Sequence, residues 1–347
     1  MVRRSPTIED VAHAAGVSTA TVSRALNRPD DVRPALRERV HDAVEQLGYV
    51  AHAGARALSL RRSHTVGVVV PTIDNAIFAN GLQSFQRRMA EGGHLVLLAF
   101  SDYSPAQEMA QAQALLARGV DALAFTGTSQ LPELMALLAQ HGLPWVHTGS
   151  FPAPPGAACV GFRNREAVAR AVRYLLDLGH RRIGLLAGIT AHNDRAADRV
   201  AGVREALASA GLKLPAALLR EAPYTLAAAR EATRRLLAEE PSALICGNDV
   251  LAWGALLESQ AQGLDVPAQL SIVGFDDLEL SRHWRPALTT MHVPTERMWQ
   301  LAAEYLLARL DGQAVDNAQQ EIEVELVVRG STAPPGQARR SRTPIRR

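Results

Sequence analysis

Cysteine is nearly missing from these 347 residues: Cys159 and Cys246 stand far apart, each inside a short apolar run. With no C-x-x-C pair and no clustered histidines, neither a disulfide framework nor a metal site is expected, only two buried thiols in a reducing compartment. Lysine is scarcer still, Lys213 being the single one, so arginine carries nearly all the positive charge. Acids and bases almost cancel, to a net +2, and any basic footprint for a nucleic acid must therefore be local. No run approaches the ~20 apolar residues of a membrane span. The N-terminus has no apolar stretch resembling a signal peptide, so a cytoplasmic protein is expected. Catalytic motifs are missing too. The loop after the first core strand reads P-T-I-D-N-A, without the glycines of a nucleotide cradle, and G-x-S-x-G, H-E-x-x-H and P-loop patterns do not occur. Neither enzyme activity nor a cofactor is expected.

What remains is an ordinary globular composition, 47% hydrophobic and 21% charged, sufficient for two to three domains. Residues 5 to 48 hold three short helical patterns: Ile8, Val11, Ala12, Ala15; then Val22, Ala25, Leu26; then Leu36, Val40, Val44, Leu47. Gly16 ends the first, Ser18 can cap the second, Pro34 suits the first turn of the third and Gly48 stops it. The first two have the length and turn of a helix-turn-helix. The second leaves Thr19, Ala20, Ser23, Arg24 and Asn27 outside. Short side chains there let the helix approach base edges, Arg24 can fork onto guanine, and Thr19 or Ala20 can meet a thymine methyl. A small surface helix without a ligand is equally consistent with this spacing.

Residues 51 to 64 carry too little apolar surface for a core and read as a linker of marginal helical tendency. From Thr65 onward, short apolar runs alternate with helical patterns, as in a parallel sheet covered on both faces. Strands are expected at VGVVV (66), LVLLAF (95), DALAFTG (121), WVHTG (145), CVGF (159), IGLLAG (183), SALICG (242) and SIVGF (271), with a closing strand at 324 to 328. PAPPG at 152 is read as dividing them into two halves, and residues 331 to 347 as a disordered basic tail. Polar residues follow the strands: Asp74 and Asn75, Ser101 and Asp102, Thr126 and Thr128, His147 and Thr148, Asn248 and Asp249, Asp276 and Asp277. Each alone is most simply a helix cap, whereas two facing rows of them make a cleft.

The stretch T-I-E-D-V-A-H-A-A-G-V-S-T-A-T-V-S-R-A-L-N from Thr7 to Asn27, followed by R-E-R-V and by E-Q-L-G-Y at Glu45, resembles the DNA-binding headpiece of the lac repressor family. The resemblance implies that Ser18, Thr19, Ala20, Thr21, Ser23 and Arg24 meet phosphates or bases, with Thr7 and Asn27 counted among the DNA-binding candidates at the ends of the stretch. It also gives residues 51 to 64 a role: a hinge helix formed on DNA, with Leu58 as a minor-groove wedge and Arg56 as its basic neighbour. Departures are His52, where the family usually has Asn, and Gly54, where it usually has a larger apolar residue.

Downstream, L-G-H-R-R-I-G at Leu178, D-R-V-A-G at Asp198, C-G-N-D-V-L-A-W-G at Cys246, and S-I-V-G-F-D-D-L with P-A-L-T-T between Ser271 and Thr290 are similar to the effector-binding core of the same family. The implied architecture is an all-α headpiece at residues 1–50, a hinge at 51–64, and at 65–330 an α/β core of two doubly wound parallel-sheet subdomains, like periplasmic sugar-binding proteins. Implied partners are a near-palindromic operator, a small-molecule effector and a second copy of the chain, as a homodimer or a tetramer built from two. Effector candidates are Arg199, Asn248, Asp276 and Tyr224 by resemblance, joined by Asn75, Phe78, Asp102 and Thr126. Arg163 in V-G-F-R-N stands where the family often has Asp. Together with I-F-A-N-G-L at Ile77 and T-E-R-M-W-Q at Thr295, which resemble the gluconate-repressor branch, it points to a sugar acid. The alternative is that Arg163 faces solvent or pairs with Glu166. The rival functions are a sugar-binding protein, or a doubly wound enzyme, carrying an unrelated N-terminal bundle.

Overall fold

The structure is a computed structural model that describes residues 4, 6–50, 62–74 and 76–336. The chain divides after His64 into two compact units. In the first, α1 (Ile8–Ala15) begins at Thr7, whose hydroxyl accepts from the Asp10 amide while the Asp10 carboxylate accepts from Thr7, a reciprocal cap. Gly16 turns the chain with φ +62°, a left-handed conformation costly to other residues, and an added Cβ would strike the Arg39 guanidinium 2.7 Å away. Arg39 uses that space to donate to the Ala15 carbonyl, which tethers α3 (Pro34–Leu47) to the turn. The next helix, α2 (Thr19–Asn27), is capped by Ser18. Val11, Val22 and Val40, one from each helix, are fully buried at the centre.

The second unit has two lobes, each a six-stranded sheet. Lobe 1 contains β1 (Thr65–Val70), α4 (Ala76–Glu91), β2 (Leu95–Phe100), α5 (Pro105–Ala117), β3 (Ala122–Thr126), α6 (Pro132–His141), β4 (Trp145–Thr148) and β5 (Cys159–Gly161). Lobe 2 contains α7 (Asn164–Asp177), β6 (Ile183–Gly188), α8 (Asp194–Ser209), β7 (Leu219–Ala222), α9 (Leu226–Leu237), β8 (Ala243–Cys246), α10 (Asp249–Ala261), β9 (Ser271–Asp276), α11 (Glu279–His283) and β10 (Thr289–His292). The chain then returns: α12 (Thr295–Leu310) packs on α4, β11 (Gln319–Glu321) joins lobe 1, and β12 (Glu325–Val327) joins lobe 2. The orders are β11-β5-β4-β3-β1-β2 and β12-β10-β9-β8-β6-β7, every pairing parallel except β10 with β12. Parallel strands buried on both faces explain the unbroken runs VGVVV and IGLLAG.

PAPPG does not divide the lobes. It lies between β4 and β5, which pair in the same sheet, and the chain leaves lobe 1 only at residues 162–163. Three strands have no counterpart among the apolar runs: β7 (L-R-E-A), β10 (T-T-M-H) and β11 (Q-Q-E). Their sequences are too polar to stand out, and they are strands because a neighbour's unpaired ladder recruits them. Residues 331 to 333, expected to lie in a disordered tail, instead dock on lobe 2. Ser331 is buried and donates to the Ile272 carbonyl at 2.6 Å, Thr332 bonds Tyr174, and the Ala333 carbonyl meets His180. Residues 337–347 lie outside the described residues. Cys159 and Cys246 are buried and unpaired with each other, as their apolar settings imply.

The layer between α4 and α12 is held by Phe85, fully buried with its ring edge-on to Trp299 at 5.7 Å and 87°. Phe85→Ala is expected to lower the core's unfolding free energy by about 3–5 kcal/mol, read as an earlier urea transition of the core. A loss below ~1 kcal/mol would contradict this packing.

Candidate ligand cavity and nucleic-acid interface

Open α/β sheets bind ligands beyond the carboxyl ends of strands, where the strand order reverses. In lobe 1 the reversal falls between β1 and β3, and in lobe 2 between β6 and β8. A cavity lies there between the lobes. Lobe 1 brings Phe78, Tyr103, Thr126 and Thr148; lobe 2 brings Asn193, Arg195, Arg199, Tyr224, Asn248 and Asp276; Phe162, Thr295 and Trp299 lie at or near the crossovers. Gly188 ends β6 without a side chain, and a Cβ there would lie 2.0 Å from the Tyr224 hydroxyl, so glycine is what lets the ring lie across the strand end.

Arg199 is the centre of the site. Its guanidinium stacks 3.8 Å from the Phe275 ring centroid, its Nε donates to Asn164 Oδ1 at 2.9 Å, and its Nη1 donates to the Gly247 carbonyl. Burial lowers its pKa from the usual arginine value, and the nearby Asp276 carboxylate opposes that shift. Burial in turn pushes Asp276 well above the usual carboxylate range, against the pull of Arg199. Among the described residues, three polar atoms of the cavity lining are buried and unpartnered: Thr126 Oγ1, Asn248 Nδ2 and Asp276 Oδ1. Such atoms are costly unless something fills their hydrogen-bonding capacity. Asn248 is both a cap and a lining residue, since its Oδ1 starts α10 by accepting from Leu251 N at 2.9 Å while its Nδ2 stays open. Backbone strain collects at the same rim. Asp102 and Tyr103 are consecutive left-handed residues at φ 48° and 58°, and Asp276 sits at φ 108°.

Of the effector candidates, Phe78, Thr126, Arg199, Tyr224, Asn248 and Asp276 are brought together in this cavity. Asn75 lies outside the described residues. Asp102 is exposed and does not line the cavity; the left-handed turn carries it away and puts the neighbouring Tyr103 in its place, 6.3 Å from the Tyr224 ring. Arg163, too, is placed elsewhere. It lies outside the cavity and pairs with Glu321 at 3.2 Å and Glu166 at 3.7 Å, over the Phe151 ring. Glu321 is on β11, far downstream in the chain, so no local pattern announces that partner. The cation that does join Arg199 is Arg195, on the first turn of α8, one residue after its start.

On the headpiece, Thr19, Ala20 and Arg24 are exposed on one surface of α2, with Thr21, Ser23 and Asn27 partly buried beside them. Arg24 Nε donates to the Ala20 carbonyl at 3.2 Å, folding the side chain along the helix. Thr7 and Ser18 cap their helices, and Ser18 Oγ also meets Thr21 Oγ1 at 2.9 Å. Arg56 and Leu58 lie outside the described residues.

The sequence and fold have clear counterparts. Residues 7–52 match bacterial regulatory proteins of the lacI family, and residues 172–332 match a periplasmic binding protein-like domain. The transcriptional repressor CytR of Escherichia coli K12 is 34% identical over 329 residues, covering 94% of this chain and 96% of its own. The chain belongs to the lacI family. The regulator GntR of Pseudomonas aeruginosa is 36% identical over 332 residues, again with 94% and 96% coverage. Among solved structures, a lac repressor dimer bound to operator and an anti-inducer superposes with a TM-score of 0.84 at 28% identity, covering 95% of this chain and all of its own. A CelR–cellobiose complex superposes at 0.70 and 30% identity, covering 94% and 99%. As a lacI-family member the chain is a DNA-binding transcriptional regulator and not an enzyme. No helix among the described residues is long and apolar enough to cross a membrane.

Two buried groups of the core make its pH response testable. Burial pulls His147 from 6.5 down to about 4, its Nδ1 donating to the Gly127 carbonyl at 3.1 Å. Between those pH values the unfolded chain takes up a proton that the folded ring refuses, so stability falls as pH drops. Burial pushes Asp249 from 3.8 up to about 6, even though it accepts from Ser281, Thr290 and Leu278. There the folded state protonates first, and stability rises as pH falls through the same range. In wild type the two act in opposite directions. His147→Gln is expected to gain stability relative to wild type between pH 6 and 4, by up to ~1.4 kcal/mol per pH unit. Urea midpoints that diverge the other way would contradict this pairing.

Proposed function

We propose that this regulator acts as a dimer on a near-palindromic operator, through α2 and a hinge at residues 51–64, and that a small hydroxylated effector in the interlobe cavity controls its grip on DNA. The observation that carries the effector half is the convergence of Thr126 Oγ1, Asn248 Nδ2 and Asp276 Oδ1, a hydroxyl, a donor and an acceptor left without partners inside one cavity. Hydroxyl groups satisfy all three, and the rings of Tyr103, Tyr224, Phe78 and Trp299 supply the apolar face that a sugar ring stacks on. The CelR–cellobiose complex supports a sugar. A sugar acid such as gluconate is the narrower reading. It keeps the support of the GntR relative and of Arg195 beside Arg199, but loses that of Arg163.

Self-association is supported by apolar surface that a monomer would leave wet. On edge strand β2, Leu95, Leu97, Leu98 and Phe100 are 71%, 37%, 42% and 36% exposed. Lobe 2 presents Leu226 and Leu280 near the stacked Trp253–Trp284 pair. A tetramer has no further surface in its support among the described residues.

In a gel shift with DNA from upstream of the chain's own gene, Arg24→Ala is expected to lose ~10–100-fold in specific affinity while the core stays folded. An unchanged footprint at physiological salt would sink the reading surface. Leu58→Ala should bend the operator less, and equal FRET-measured bending would refute the wedge. Calorimetry of the full chain against neutral hexoses, cellobiose and gluconate should find a hydroxyl-rich binder that Asp276→Asn weakens ~10–100-fold. Neutral sugars binding more tightly than gluconate would remove the sugar-acid reading.

A further inference from the structure

Asp194 opens α8 in lobe 2, yet three of its four hydrogen-bond donors belong to lobe 1. Its Oδ2 accepts from Thr128 N at 2.8 Å, Thr128 Oγ1 at 3.1 Å and Ser150 Oγ at 2.7 Å, while its Oδ1 accepts from Arg195 at 2.7 Å. Thr128 follows β3 and Ser150 follows β4, so the carboxylate is inserted between two strand ends of the opposite lobe. The side chain is only 17% exposed. Burial pushes the carboxyl up, but Arg195, Ser150 and Thr128 outweigh it and hold Asp194 below the usual range. A second bridge lies alongside. Asn164 of lobe 2 donates to the Gly149 carbonyl of lobe 1 at 2.9 Å, and its Oδ1 is the acceptor for Arg199. The first bridge ends on Thr128 and Ser150 and the second on the adjacent Gly149, and Gly149 and Arg195 themselves line the cavity.

We propose that the Asp194 carboxylate is the clasp that holds the two lobes closed in the absence of effector, with Thr128 and Ser150 as its seat and Asn164 as the link that couples the seat to Arg199. A charge-assisted contact made only when the lobes are shut shifts their equilibrium by the free energy it loses on opening. Asp194 is thus a positioning residue: it touches no effector, and it sets the spacing at which lobe 1 and lobe 2 groups face each other. Its consequence for DNA rests on the effector reading above; its effect on lobe spacing does not.

The test uses the full chain without ligand, labelled on lobe 1 at Glu133→Cys and on lobe 2 at Ala238→Cys, both exposed. Single-molecule FRET should show the open-to-closed ratio rising roughly tenfold or more in Asp194→Ala, and severalfold in Ser150→Ala and Thr128→Val, each of which removes one bond. The reciprocal pair Ser150→Asp with Asp194→Ser should move the ratio back toward wild type, a rescue that a role in helix stability alone would not produce. Identical distributions in wild type and all three single variants would overturn the clasp. So would opening by Asp194→Ala with both partner variants unchanged, because the start of α8 would then be responsible. The ligand panel is read separately: failure to find a binder would defeat the effector reading and leave the FRET result standing.

Discussion

A guanidinium buried in the core is the constraint around which the cavity is built. Arg199 is 8% exposed, and a charge so placed must find partners on every side or be expelled. Phe275 supplies a ring face, Asn164 and Gly247 supply acceptors, and the Asp276 carboxyl lies nearby. These partners come from β9, from α7 and from the turn after β8, so satisfying one side chain of α8 fixes the relative positions of all four elements. Phe275 also stacks on Phe162 at 6.0 Å, where the chain first passes from lobe 1 to lobe 2. A disturbance at Arg199 therefore reaches a crossover through two aromatic rings, and the loop at residues 149–150 through Asn164.

Much of this is legible in the sequence, and for definable reasons. The headpiece is legible because its caps and its Gly16 turn obey short-range rules and its three buried valines fall on the helical spacing of their own helices. The buried strands show as apolar runs because both faces are covered. What escapes depends on distant partners. β10 and β11 are polar strands that exist only because β9 and β5 offer them open ladders. Arg163 reads as an effector anchor because Glu321 is invisible at that distance in sequence, and Asp102 reads as a cavity acceptor because strand-end rules do not say how far a left-handed turn rotates the next residue.

The two halves of the molecule carry different kinds of chemistry. The exposed surface of α2 is made of small groups, Thr19 and Ala20, with Arg24 beside them. The cavity holds the reverse, large groups whose bonding is nearly complete and whose few open valences define what fits. Between the lobes themselves the contacts are few and polar, from Asp194 and Asn164 to Thr128, Gly149 and Ser150.

The late return of the chain has a consequence for biosynthesis. β11 and β12 are the last two strands in chain order, yet each completes a different lobe, and α12, which covers lobe 1 beside α4, is made after nearly all of lobe 2. A ribosome that has translated the chain only as far as β10 holds two unfinished sheets, with β5 unpaired on its outer side and the α4 layer uncovered. Neither lobe can fold to completion in order of synthesis. A chain that stops at β10 leaves β5 and β10 as open strand edges, which β11 and β12 cover in the finished protein.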